Sequence, residues 1–193
     1  MKLKRLALGL LFCFKQQSAL SQSLEDKLFM SAIQNDVESV AKYMDEGANV
    51  NYQAPGSLQT PLMAAVLRGQ KDVVEYLLSR KDVVDVSIPE KDGYTPAHGA
   101  AFQGRPEIMS LLIQAGINVK DDFHTDGYAP LHRACWGRER RHAETIRVLH
   151  DEAGIDLNMP SRTSGATCRE MTSNQHTLDL LSENDTTAAK NEL

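Results

Sequence analysis

The stretch from Asp92 to Gly104, Asp-Gly-Tyr-Thr-Pro-Ala-His-Gly-Ala-Ala-Phe-Gln-Gly, constrains the fold more tightly than any other part of the chain. Its parts make sense together only as the start, body and stop of one short helix. Gly93 suits a tight turn, Thr95 can place its hydroxyl on the bare backbone N–H groups of a helix start, and Pro96 takes the first helical position, where a missing N–H is no loss. Gly104 can adopt the left-handed conformation that ends a helix and turns the chain back. A second helix then carries Ile108, Met109, Leu111, Leu112 and Ile113 as far as Gly116.

The same phrase returns. Thr60-Pro61 lies 35 residues before Thr95-Pro96, Ala129-Pro130 lies 34 residues after it, and Asp26, 34 residues before Thr60, opens a worn copy. A period in the low thirties with two short helices per unit predicts a stacked array, in which each unit buries its apolar face only against its neighbours.

The residues at these positions carry a family resemblance. Thr60-Pro61-Leu62-Met63-Ala64-Ala65, Thr95-Pro96-Ala97-His98-Gly99-Ala100-Ala101 and Ala129-Pro130-Leu131-His132-Arg133-Ala134 resemble the Thr-Pro-Leu-His core of ankyrin repeats. Gly47-Ala48-Asn49-Val50-Asn51, Gly116-Ile117-Asn118-Val119-Lys120 and Gly154-Ile155-Asp156-Leu157-Asn158 resemble the family's closing Gly-Ala-Asp-Val-Asn. The resemblance covers roughly residues 24 to 160. It implies an all-α ankyrin-repeat solenoid of stacked helix-turn-helix pairs with projecting β-hairpin-like fingers, and a non-catalytic surface that binds a partner polypeptide.

Within residues 22–181 the repeats fall at about 24–55, 56–89, 90–123 and 124–160, with a degenerate cap at 161–181. The first unit opens on Glu25, Asp26 and Lys27 rather than Thr-Pro, as suits an end that no neighbour covers. The connection Lys81 to Ser87 lacks a glycine and is expected to form a longer finger. In the fourth unit the glycine stop is displaced, and Gly137 to Ala143 runs about three residues beyond the repeat, so either its first helix is extended or its inter-helix loop bulges. The cap has Thr167 roughly in place but no proline or histidine, and residues 182–193 read as a polar, disordered tail.

Charge and cysteine content bound the function class. A net charge of −5 argues against nucleic acid, whose binding domains are strongly basic. Three cysteines are too few for a disulfide framework. A single Cys135–Cys168 bridge stays open, but Cys135 replaces an inward alanine, so a buried free thiol is the expected state. Lys2, Lys4 and Arg5 precede an apolar run from Leu6 to Phe14, and Ala19-Leu20-Ser21 follows. Residues 1–21 thus read as a secretory signal, too short for a membrane span. An acceptor triplet for glycosylation, Asn184-Asp185-Thr186, and the ending Lys190-Asn191-Glu192-Leu193, close to a retrieval signal, point the same way. The expected location is the secretory pathway, secreted or in the endoplasmic reticulum lumen; the alternative is a cytoplasmic adaptor or inhibitor.

No nucleophile elbow, phosphate-binding loop or helical His-Glu-x-x-His occurs, so no catalytic, cofactor or metal site is expected. By the resemblance, His98 and His132 buttress helix starts by hydrogen bonding near the threonine of their motif. A remote alternative is a metal-dependent hydrolase built on His132, Cys135 and His142. The expected partner-binding residues come from the fingertips and inner helices: Leu67, Arg68, Lys91, Asp92, Tyr94, Phe102, Gln103, Asp126, Tyr128 and Trp136. The basic run Arg138, Arg140 and Arg141, beside Trp136, joins them as a candidate hot spot for an acidic segment. A monomer with a protein partner, and no membrane span, completes the expectation.

Overall fold

The computed structural model describes residues 22 to 191, so the expected signal at residues 1–21 and the last two residues of the retrieval-like ending lie outside the described residues. Among the described residues ten helices follow in chain order and pair off into five units: α1 (Leu24–Ile33) with α2 (Val37–Asp45), α3 (Pro61–Arg68) with α4 (Lys71–Ser79), α5 (Pro96–Gln103) with α6 (Pro106–Gln114), α7 (Pro130–Cys135) with α8 (Arg140–Ala153), and α9 (Cys168–Met171) with α10 (Gln175–Asn191). First helices stack on first helices, α1 on α3 on α5 on α7 on α9, and second helices stack likewise from α2 to α10. Among the described residues there is no strand.

Local chemistry sets the ends of these helices. Thr60 accepts the Met63 N–H at 3.2 Å and Pro61 opens α3, while Gly69, left-handed at φ 78°, closes it. Thr95 departs from the expected cap: its hydroxyl makes no bond to a helix N–H and instead donates to Asp122 at 2.5 Å, beside His98 Nδ1 at 2.9 Å. The worn first unit is capped after all, with Ser23 Oγ accepting the Asp26 N–H at 3.0 Å and the Asp26 carboxylate receiving the Ser23 N–H at 3.4 Å and the Tyr52 phenol at 3.0 Å.

The core is the seam between the two rows of helices. Leu28, Leu62, Leu77, Met109, Leu112, Leu131, Ile146 and Leu149 are fully buried, and the small residues Ala65, Ala100, Ala101 and Ala134 let first helices approach closely. Burying side chains of this size contributes about 1.5–3 kcal/mol each before the entropy of ordering them is subtracted.

A ladder of side chains clamps each unit to the one before. Gln70 Nε2 donates to Ile33 O at 2.5 Å, Arg105 NH2 to Leu67 O at 3.3 Å, His142 Nε2 to Phe102 O at 3.2 Å, and Asn174 Nδ2 to Gly137 O at 3.0 Å. Each donor lies in or just past an inter-helix turn, and each acceptor is at or near the carbonyl end of the preceding first helix, where backbone acceptors have no partner of their own. The fingers repeat the principle: Asn51 Oδ1 accepts Asp85 N–H at 2.8 Å, and backbone bonds run from Lys91 N to Ser57 O and from Arg162 N to Gly127 O, each at 2.9 Å. Gly127 sits in the left-handed region, and a Cβ there would lie 2.0 Å from Thr163 Oγ1, so the third and fourth fingers meet this closely only around glycine.

One alternative is decided here and two expectations are corrected. The fourth unit does not extend its first helix: α7 ends at Cys135, Trp136 to Glu139 make a four-residue loop, and the second helix lengthens to 14 residues against 9 in α6. Gly137 is not a left-handed stop; a Cβ there would lie 1.9 Å from the His142 ring, so the glycine makes room for that clamp. Cys135 is not a free thiol but is bonded to Cys168, with both residues at 0% exposure, and the bridge ties α7 to α9. The stretch from Ser182 is helical and continues α10 to Asn191; Leu180 and Leu181 bury against the stack, and Arg169 reaches Asp185 at 2.6 Å.

Candidate binding groove

A groove of about 320 Å³ opens on the face made by the first helices and the fingers. Its floor is Met63 and Leu67 from α3 with Gly99, Phe102 and Gln103 from α5, and its finger-side wall is Glu90, Asp92 and Tyr94, with His98 and Arg133 closing the deep end. Phe102 is 56% exposed, the most exposed large apolar side chain among the described residues. Gly99 shapes the floor, since a Cβ there would come within 3.1 Å of Met63 Cε and Leu67 Cδ2. Glycine within a helix costs about 1 kcal/mol relative to alanine, so the depth is obtained at some expense to α5.

Arg133 is the organising residue. Its guanidinium carbon stands 4.6 Å from the Tyr94 ring centre, 4.8 Å from Trp136 and 5.5 Å from Tyr128, a three-sided aromatic box around a cation. The side chain is only 8% exposed and is ion-paired to Asp126. His124 stacks on Tyr94 at 4.1 Å, and its Nε2 donates to Asp92 O at 2.7 Å, so the box is tied to the third fingertip. Partial burial works to raise the Asp126 pKa, but hydrogen bonds from Arg133 and His124 and from the Tyr128 N–H outweigh it and draw the pKa down to about 2.

The histidines are structural joints. His132 Nδ1 accepts the N–H of Ala129, the residue that precedes α7, at 3.1 Å, and Nε2 donates to Met159 O at 3.1 Å in the next finger. His98 Nε2 donates to Tyr128 O at 3.2 Å, again one unit ahead. Both are buried, and burial pushes both pKa values below the ordinary range, against the opposing pull of Asp122 on His98 and of the Met159 carbonyl on His132. His142 repeats the device at the start of α8, with Nδ1 facing the Glu139 N–H at 3.3 Å. The proposed hydrolase set is therefore dismantled: the Cys135 sulfur is bonded to Cys168, and His132 and His142 each spend Nε2 on a backbone carbonyl.

The sequence-derived residues divide by place. Leu67, Asp92, Tyr94, Phe102 and Gln103 line the groove together. Arg68 and Lys91 are exposed beside it, at the end of α3 and on the fingertip. Asp126, Tyr128 and Trp136 surround Arg133, so Tyr94 on the finger and Trp136 at the end of α7 are walls of a filled box. The arginine run does not converge on the groove: Arg140 pairs with Glu144 at 3.0 Å and Arg141 with Glu139 at 2.7 Å, and Arg138 is exposed in the inter-helix loop. Met63, Glu90, His98, Gly99 and Arg133 were missed as groove residues. A signal existed for Arg133, which occupies the slot that holds Ala64 and Gly99 in the preceding motifs.

A family model for ankyrin repeats, three copies, matches residues 28–122 and 80–161, most of the chain. The chain belongs to the ankyrin-repeat family. Such repeats make a protein–protein interaction module, and the family is generally non-catalytic. Among its relatives, alpha-latrotoxin-Lg1a of Latrodectus geometricus is 31% identical over 117 residues, 61% of this chain and 8% of the toxin. Protein phosphatase 1 regulatory subunit 12A of Mus musculus is 47% identical over 64 residues, 32% of this chain and 6% of that protein. BCL-6 corepressor-like protein 1 of Homo sapiens is 40% identical over 76 residues, 39% of this chain and 4% of that protein. The ankyrin chain thus spans less than a tenth of each of these relatives. Among the described residues no helix is long and apolar enough to cross a membrane.

Proposed function

We propose that this ankyrin-repeat protein is a non-catalytic, monomeric binder that holds a partner polypeptide on its concave face, with the groove between α3, α5 and the second finger as the anchoring site. The observation that carries this reading is Phe102, a large apolar side chain left 56% exposed over an apolar floor, in a fold whose other large side chains are mostly covered. Isolated exposed hydrophobes are ordinary, but one set in a concave, apolar site with polar groups at its rim has the anatomy of an interface. That a phosphatase regulatory subunit carries a matching stretch supports the same kind of role.

The compartment follows from the cysteines in this reading. A buried bridge that joins two units is suited to an oxidising environment, so we place the protein in the secretory pathway. Full-length bait carrying Phe102→Ala should melt like the wild type, because the ring is largely exposed, yet lose the partner that the wild type captures from native material. Equal capture by both baits removes the groove from consideration. Non-reducing peptide mapping of the native protein should recover Cys135 linked to Cys168, and recovery of both as free thiols would return the cytoplasmic adaptor or inhibitor as the better reading.

A further inference from the structure

Charge along the groove narrows the kind of segment it can hold. Among the described residues lining it, Arg133 is the only lysine or arginine, and its guanidinium is already ion-paired to Asp126 and covered by three rings. Glu90 and Asp92 have no ion-pair partner among the described residues. Glu90 commits one oxygen to the Asp92 N–H at 2.9 Å, which fixes the Glu90 carboxylate on the wall that Asp92 shares. Lys91 is exposed on that turn but does not line the groove. The apolar floor beneath is deep only where Gly99 leaves Met63 and Leu67 uncrowded.

We infer that the groove takes an extended peptide segment with one large apolar side chain, leucine-like or phenylalanine-like, flanked by lysine or arginine. This deepens the binding reading above and rests on it. The apolar side chain sits on Met63, Leu67 and Phe102, and the flanking cation meets Glu90 and Asp92 at the finger wall. An acidic segment would meet two carboxylates that have no ion-pair partner among the described residues, and opposition of like charges is a usual way for an interface to reject a wrong partner. The arginine run does not reverse this, because none of Arg138, Arg140 and Arg141 lines the groove, and the last two are spent on Glu144 and Glu139.

The test uses the full chain and short fluorescein-labelled peptides with a central Leu or Gly, flanked on each side by a pair of Lys or a pair of Glu, read by fluorescence anisotropy. The Lys-flanked Leu peptide should bind at least about tenfold more tightly than either the Glu-flanked Leu or the Lys-flanked Gly peptide at ~50 mM salt, and the preference for Lys should shrink at ~300 mM. The double variant Glu90→Gln, Asp92→Asn keeps the turn and the hydrogen-bond acceptor while removing both charges, so it should bind Lys- and Glu-flanked Leu peptides alike. Leu peptides that bind without charge preference, and lose binding in Phe102→Ala, would overturn the basic-flank inference while leaving the groove as the binding site. Binding that ignores Phe102→Ala would overturn both. Failure of every peptide to bind, or a dimer in sedimentation that Phe102→Ala dissociates, would overturn the inference, the latter by assigning the groove to a second copy.

Discussion

Removing the Cys135–Cys168 bridge is the perturbation whose size the structure gives most directly. The bond closes a loop of 33 residues between α7 and α9. Restricting the unfolded chain by a loop of that length corresponds to about 3.7 kcal/mol at room temperature. Both sulfurs are fully buried, so the double variant Cys135→Ala, Cys168→Ala also leaves a small void, adding roughly 1 kcal/mol or less. For a chain of this size about 4 kcal/mol is a drop in melting temperature of roughly 8–16 °C. Because repeat arrays are stabilised unit by unit, the damage should be uneven. Hydrogen exchange should show α9 and α10 losing protection first, while amides in α3 to α6 change little. Urea melts of the oxidised protein, the reduced protein and the variant should place the last two together and well below the first. A loss under about 1 kcal/mol, or uniform deprotection along the array, would refute the claim that the bridge staples the terminal unit to the stack.

Leu112 is fully buried between α6 and its neighbours, so Leu112→Ala should cost about 2–5 kcal/mol in urea melts, and a cost under about 1 would mean the seam is not packed as described. His98 and His132 are held neutral by burial, so their folded pKa values lie below the unfolded value near 6.5. Their contribution to stability is complete above that value and is lost as pH falls below it, at up to about 1.4 kcal/mol per pH unit for each histidine. Melts that stay flat from neutral pH down to about 5 would contradict the assignment of these rings as neutral joints. Tyr94→Ala with Trp136→Ala should cost about 1–3 kcal/mol, because two walls of the Arg133 box disappear, and an unchanged melt would mean that the box contributes nothing to the fold.

Much of the architecture was legible because it repeats. A Thr-Pro start and a Gly stop recurring at one period specify helix pairs and their stacking without any knowledge of long-range contacts, and Leu62, Met109 and Leu131 fall inward as the period requires. What could not be read was anything depending on the particular neighbour. Cys135 stands where the repeat holds an inward alanine, which pointed to a buried free thiol; that Cys168 meets it from the next first helix is a property of that one neighbour. The fourth unit's extra residues could extend the first helix or bulge the loop, and the loop takes them, with the His142 ring packed against Gly137. For the groove, chain position correctly singled out Leu67, Tyr94 and Phe102 as neighbours, but exposure could not be read from it. Tyr94 on the finger and Trp136 at the end of an inner helix look open until Arg133, at a slot that is small in the preceding motifs, is seen to fill the space between them.

The clamp ladder carries a lesson about assembly. Gln70, Arg105, His142 and Asn174 perform one task with side chains of different reach, so each fits only the predecessor it has. Duplicating, deleting or shuffling units would set a long arm against a short gap, or the reverse, and strand carbonyls that are now satisfied. The chain looks modular, yet its order is written into its joints.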